Sequence, residues 1–105
     1  MLNPSHLENL EPDLLKSLLE PLLDDFQHWF RRAQTILEEK PLSFLSPAEQ
    51  SDLLQNVKNS LQEVTVAKAL FSATDCKAGV DTKVMMQWHR LVTQCWQVSI
   101  QARKE

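Results

Sequence analysis

Three long segments of the sequence carry apolar residues at steps of three and four, and this repeat constrains the fold more than any other feature. An α-helix completes a turn about every 3.6 residues, so such a repeat lines the apolar side chains along one face. No segment shows the strict alternation of a half-buried strand. The repeat predicts helices at about 12–39, 47–73 and 82–103, after an N-terminal arm at 1–11.

The first segment has an apolar stripe wide enough to contact two neighbouring helices. Its centre is formed by Leu15, Leu18, Leu22, Phe26, Trp29, Ala33 and Ile36, with Leu14, Leu19, Leu23, Phe30 and Leu37 alongside. The predicted solvent face carries Lys16, Glu20, Asp24, Gln27, Arg31, Gln34 and Glu38. Pro21 removes one backbone hydrogen bond inside this segment, which favours one bent helix. Two consecutive helices are the alternative.

The second and third segments have recognisable starts. Ser46, Pro47 and Glu49 combine a cap, a proline at the first helical position and a capping-box glutamate. Asp81 is the expected cap of the third helix. Because the connections are short, consecutive helices should lie antiparallel. The predicted fold is therefore an all-α, antiparallel three-helix bundle with long helices, the first bent near Pro21, in a single domain at 1–105.

Composition excludes several classes of protein. The chain has 105 residues, of which 43% are hydrophobic, and this is enough for one core but not for two domains. The net charge of −3 has the wrong sign for a general nucleic-acid binder. Neither a signal peptide nor a membrane-spanning apolar run is visible. We therefore expect a soluble cytoplasmic protein in which Cys76 and Cys95 are free thiols.

Residues that carry catalysis or hold cofactors do not form a recognisable set. A single glycine excludes a glycine-rich phosphate loop. The histidines lie in different segments, and the two cysteines are far apart in sequence, unlike the ligands of a zinc site. His89 and Cys95 lie about 120° apart around the third helix, so they cannot pair directly. The sequence predicts no enzyme, no cofactor and no metal site.

The third segment carries more apolar positions than one core-facing stripe needs. Its main face is formed by Val84, Trp88, Leu91, Val92, Cys95, Val98 and Ala102. A second strip, Met85, His89, Trp96 and Ile100, lies about 90° to one side. An amphipathic ring at the edge of a core stripe is typical of partner surfaces. We expect this strip to bind a protein partner or a second copy, with Val66 and Leu70 as candidate additions.

Two functional interpretations stay open at this stage. The first is a non-enzymatic module for protein–protein interaction, assembly or regulation that docks through the second strip. The alternative is a small helical binding protein for an apolar ligand or tetrapyrrole, with His89 or His28 as a contact. A separate open question is whether the N-terminal arm covers the Trp96 side of the third helix through Leu2, Leu7 and Leu10.

Four motifs in the sequence resemble a known family. They are residues 18–30, 42–50, 69–74 with 79–81, and 88–96. In this order, and over nearly the whole chain, they resemble a family of small cyanobacterial proteins that is known as a domain of unknown function. The resemblance implies a cyanobacterial cytoplasmic protein of helical fold. It implies no activity and therefore no catalytic residue.

Overall fold

The computed structural model describes residues 12–73 and 81–104. Within these ranges the chain forms three α-helices and no strand: α1 (Pro12–Glu39), α2 (Pro47–Ala73) and α3 (Thr82–Arg103). The all-α fold class is confirmed. The N-terminal arm at 1–11 and the connection at 74–80, which contains Cys76, lie outside the described residues. The assignment of the whole chain to one domain stays a prediction.

Helix α1 runs without interruption through Pro21, whose side chain is exposed. A proline inside a helix is tolerated more easily where its ring faces solvent than where it must pack against a neighbour. The alternative of two consecutive helices is therefore wrong. A bend at this proline stays a prediction.

The starts of α2 and α3 are fixed by the caps that the sequence predicts. The Ser46 hydroxyl accepts a hydrogen bond from the Glu49 backbone N–H at 3.1 Å, and the Glu49 carboxylate accepts one from the Ser46 backbone N–H at 2.9 Å. This reciprocal pair is a capping box. The Asp81 carboxylate accepts from the backbone N–H of Lys83 at 2.8 Å, so it caps α3 as predicted.

Helix α1 packs against both other helices, and the contacts give the direction of each pair. The pairs that join α1 to α2 run in opposite directions along the two helices: Asp24 with Lys68, Gln27 with Thr65, and Glu38 with Lys58. The pairs that join α1 to α3 run in the same direction: Phe26 with Trp88, Trp29 with Trp96, and Arg32 with Ser99. Consecutive helices are therefore antiparallel, and α1 and α3 lie side by side in parallel.

The core fills the space enclosed by the three helices. Its buried members are Leu23, Phe26, Phe30, Ala33 and Leu37 of α1, Leu42, Val57 and Val64, and Trp88, Leu91, Val92, Cys95 and Val98 of α3. Leu19 and Phe71 form a smaller cluster. The Trp88 Nε1–H finds no acceptor within the described residues.

The buried face of α1 is centred to one side of the stripe that the sequence predicts. Leu19, Leu23, Phe30 and Leu37, expected alongside the stripe, are buried. Leu18, expected at its centre, is 44% exposed, and Trp29 and Ile36 are half-buried. The apolar arc of α1 is therefore wider than its core contact, and its flank faces outward beside α3.

The prediction that Gln27 lies on the solvent face of α1 is wrong, because the residue is only 8% exposed. Its amide donates to the Thr65 hydroxyl at 3.3 Å, and its carbonyl accepts from the Lys68 ammonium at 3.4 Å. The same ammonium forms an ion pair with Asp24. A polar residue lies at this part of the helix interface because α2 supplies partners for its hydrogen-bonding groups.

Candidate docking surface between helices one and three

The parallel pair α1 and α3 leaves a line of partly exposed apolar and charged side chains where the two helices meet. We call this line the seam surface; it consists of Asp25, Trp29, Arg32 and Ile36 of α1 with Trp96 and Ile100 of α3. Trp29 lies about 160° around α1 from Gln27, which contacts α2. The seam surface therefore lies on the side of α1 remote from α2.

Two indole rings form the centre of the seam surface. The rings of Trp29 and Trp96 meet edge to face, with centroids 5.8 Å apart and planes at 79°. The His28 ring also meets Trp29 edge to face, with centroids 5.2 Å apart. Edge-to-face contacts of this kind are favourable and fix ring orientation. Trp96 is nevertheless 40% exposed, and Ile100, one turn further along α3, is 53% exposed.

A hydrogen bond sets the alignment of the two helices at this surface. The Arg32 Nε donates to the hydroxyl of Ser99 at 3.1 Å, and Ser99 itself is buried. Arg32 is exposed as a residue. Because both ends of this contact belong to helices that also share the core, the seam surface is held in one geometry.

Opposite charges flank the indole pair along α1. Asp25 lies one turn before Trp29, and Arg32 lies one turn after it, and both side chains are exposed. Neither hydrogen bond nor ion pair engages the Asp25 carboxylate within the described part of the chain. The seam surface therefore has an acidic end, an apolar centre and a basic end.

The four residues predicted to bind a partner fall into two groups. Trp96 and Ile100 belong to the seam surface. Met85 is half-buried and packs against the Leu19 and Phe71 cluster, so its side chain contributes to the core. His89 is exposed, and its carbonyl accepts from the Thr93 hydroxyl at 3.1 Å. A binding role for any of the four stays a prediction.

Helix α2 contributes nothing to the seam surface. Val66 is exposed and lies half a turn around α2 from the buried Val57, so it faces away from the other two helices. Leu70 is exposed on the same side of α2. An extension of the strip on α3 by these two residues stays a prediction.

Sequence reasoning missed the contribution of α1 to this surface. The sequence pattern places Trp29 at the centre of the apolar stripe of the first helix and assigns no role to Asp25 or Arg32. The signal that identifies them is their spacing: Leu18, Asp25, Trp29 and Ile36 fall within about 20° of one direction on the helix. An apolar line interrupted by one acid is unusual for a face that is fully buried.

The remaining chemical groups are dispersed or protected. Burial raises the pKa of the Cys95 thiol to about 12, so the thiol is protonated at neutral pH. Within 12–73 and 81–104, His, Cys, Asp and Glu side chains do not converge in threes on a metal-sized site. None of the helices in these ranges combines the length and apolarity that crossing a bilayer requires.

Comparison with models of protein families identifies the family of the chain. A family model described as "Protein of unknown function (DUF2605)" matches residues 9–104. The chain belongs to the DUF2605 family. This match covers all three helices and confirms the resemblance drawn from the four sequence motifs. The cyanobacterial origin implied by that resemblance stays a prediction. No curated protein and no solved structure matches the chain significantly.

Proposed function

We propose that this DUF2605 protein is a non-enzymatic, cytoplasmic module for protein–protein interaction, and that it docks through the seam surface. The observation that carries the proposal is the position of Trp96. Its ring is fixed against Trp29 yet stays 40% exposed beside the exposed Ile100. Ordered aromatic rings surrounded by charged residues are the usual anchors of protein interfaces.

The rigidity of the seam surface supports binding over a purely structural role. Binding to a mobile surface requires ordering its side chains, which costs about 0.5–1.5 kcal/mol for each one immobilised. Here the Trp29 contact orders Trp96, and the Arg32 bond to Ser99 holds the helices in register. A partner therefore meets a surface whose geometry is already set, and it removes the remaining exposed apolar area from water.

The chemistry of the described residues supports a role without catalysis. Cys95 is the strongest nucleophile type among them, and its buried thiol has a pKa of about 12. A thiol in that state is a poor nucleophile at neutral pH. His28 and His89 are both exposed on helix surfaces. The interaction proposal needs none of these three groups to react.

Recovery of proteins with a tagged full-length chain, from cells of the organism that encodes it, tests the proposal. Three versions are compared by quantitative mass spectrometry: the wild type, a Trp96→Ala, Ile100→Ala variant, and a Val66→Ala control on the outer face of α2. We expect the wild type and the control to enrich the same proteins, untagged copies of the chain included. We expect the seam variant to lose at least one of them.

Circular dichroism establishes that the seam variant retains its helices, so that a lost partner reports lost binding. Trp96 and Ile100 are 40% and 53% exposed and lie outside the buried core, so the fold should tolerate the change. Equal recovery by all three versions would overturn the proposal, because the exposed indole would then contribute nothing to binding.

A further inference from the structure

We infer that the seam surface binds a second copy of this chain, in an antiparallel arrangement related by a two-fold axis. The inference rests on the proposed function, because it names the partner for the same surface. It follows from the order of charges and rings along α1, together with the parallel alignment of α3.

The order of charges along α1 is self-complementary. Asp25 and Arg32 lie about 10 Å apart along the helix, with Trp29 between them. A two-fold axis that crosses α1 midway between them places Asp25 of each copy opposite Arg32 of the other. One symmetric contact then forms two ion pairs. An arrangement with the two α1 helices parallel would place like charges together, which is unfavourable.

The same axis gathers the aromatic residues at the centre of the interface. Trp29 lies next to the midpoint of Asp25 and Arg32, and Trp96 contacts it directly. Two copies therefore bring four indole rings together, with charged side chains on either side. An apolar aromatic centre with a charged rim is the usual anatomy of a specific protein interface.

The exposed apolar residues nearer the start of α1 extend the interface. Leu18 lies on the same side of α1 as Ile36, five helical turns away, and is 44% exposed. The two-fold axis takes Leu18 of one copy to within about one turn of Ile36 of the other. The exposed Leu18 and the half-buried Ile36, at opposite ends of the surface, therefore cover each other.

The area of this face suits a dimer of ordinary size. From Leu14 to Ile36 the face is about 33 Å long, and two adjacent helices make it about 20 Å wide. The buried area is then about 650 Å² on each copy, against about 800 Å² for a standard protein interface. A reversible dimer is expected.

Charge reversal on the purified full-length chain tests the arrangement. Asp25→Arg gives two positive charges at the seam, and Arg32→Asp gives two negative charges. Each variant alone repels its own copy, and the dimer dissociation constant should rise at least about tenfold. Mixed in equal amounts, the two variants carry complementary charges at both ion pairs, so they should form a heterodimer. Asp52→Arg, an exposed acid on α2, is the matched control.

Light scattering after size exclusion, over a range of concentrations, measures the result. The wild type and Asp52→Arg should approach twice the monomer mass of 12.1 kDa. Each seam variant alone should remain near the monomer mass, and the mixture should recover the dimer. The Asp25 carboxylate forms no hydrogen bond or ion pair within the described part of the chain, and its side chain is exposed. Asp25→Arg with its control therefore decides the question even where Arg32→Asp does not fold.

Two results would overturn the inference: a wild type that stays monomeric at every concentration, or a dimer that Asp25→Arg leaves unchanged. Failure of this inference is separable from failure of the proposed function. If the wild type is monomeric but the seam variant still fails to recover a protein from the cell extract, the inferred dimer is contradicted. The docking role is then retained with a different partner. If the wild type is monomeric and the seam variant recovers the same proteins as the wild type, both the inferred dimer and the proposed docking role are contradicted.

Discussion

At the scale of single residues, many polar contacts of this protein lie at helix ends or between helices. Glu49 is an exposed example whose ionisation is tied to the fold. Hydrogen bonds from the backbone N–H and the hydroxyl of Ser46 hold the pKa of this carboxyl below its usual value of 4.5. The carboxylate is therefore favoured in the folded state relative to the unfolded chain.

This shift predicts how the capping box responds to acid. Because the folded pKa is depressed, Glu49 contributes stability above pH 4.5, and that contribution is lost as the pH falls through the folded pKa. Glu49→Gln should lower the urea midpoint at neutral pH and should change it less at a pH well below 4.5. An equal effect at both pH values would contradict this account. Asp52→Asn, on the same helix, controls for loss of charge alone.

At the scale of elements, the turn from α1 to α2 depends on one glutamine. The Gln50 amide donates to the carbonyls of Leu37 at 2.8 Å and Lys40 at 2.9 Å, and its carbonyl accepts from the Leu42 N–H at 2.9 Å. These bonds satisfy backbone groups that the end of α1 and the turn leave unpaired. They also hold Leu42 in the core.

Gln50→Ala should therefore destabilise the protein by about 1–3 kcal/mol, because partly buried backbone groups lose their partners. Gln55→Ala is the matched control, since Gln55 lies on the same helix and its amide donates to the exposed Asn59 side chain at 3.0 Å. Urea unfolding measures both variants. Equal midpoints for the two would show that the bonds made by Gln50 contribute no more than an ordinary surface contact.

Helix number, helix type and two of the caps could be predicted from the sequence, because local spacing and end chemistry determine them. The side of α1 that faces the core could not be predicted in the same way. Its apolar arc spans half the helix, and only the positions of α2 and α3 decide which half is buried. Leu18 and Trp29 were placed at the centre for this reason, whereas Leu23 and Phe30 occupy it.

Local sequence patterns do not predict the buried polar residues or the seam surface, because both depend on contacts between helices. The sequence pattern predicts that Gln27 faces solvent, because the pattern does not show that Thr65 and Lys68 of α2 lie opposite it. The predicted strip on α3 located Trp96 and Ile100 but also included Met85, which packs inward. The surface itself depends on the parallel alignment of α1 and α3, and no single segment encodes that relation.

At the scale of the whole molecule, α2 packs against α1 to complete the bundle, whereas α1 and α3 form the surface proposed for docking. Helix α2 lies antiparallel to α1, fastened by Gln27 and by the ion pair of Lys58 with Glu38 at 3.4 Å. Helices α1 and α3 together present the seam surface. In the proposed dimer, α1 and α3 of both copies pack face to face as a central four-helix bundle, and each α2 lies on its outside. The arrangement is closed, because both seam surfaces are used.

The measurement that tests self-association through the seam surface most directly is the dilution of an isotopically labelled full-length chain, followed by amide and indole N–H resonances. The account predicts that the Trp29 and Trp96 indole signals and the Ile100 amide signal shift with concentration. The Trp88 indole signal, from a buried core residue, and the Val66 amide signal should stay constant. Shifts confined to the Val66 side of α2, or an absence of shifts in a chain that light scattering shows to dimerise, would contradict the account.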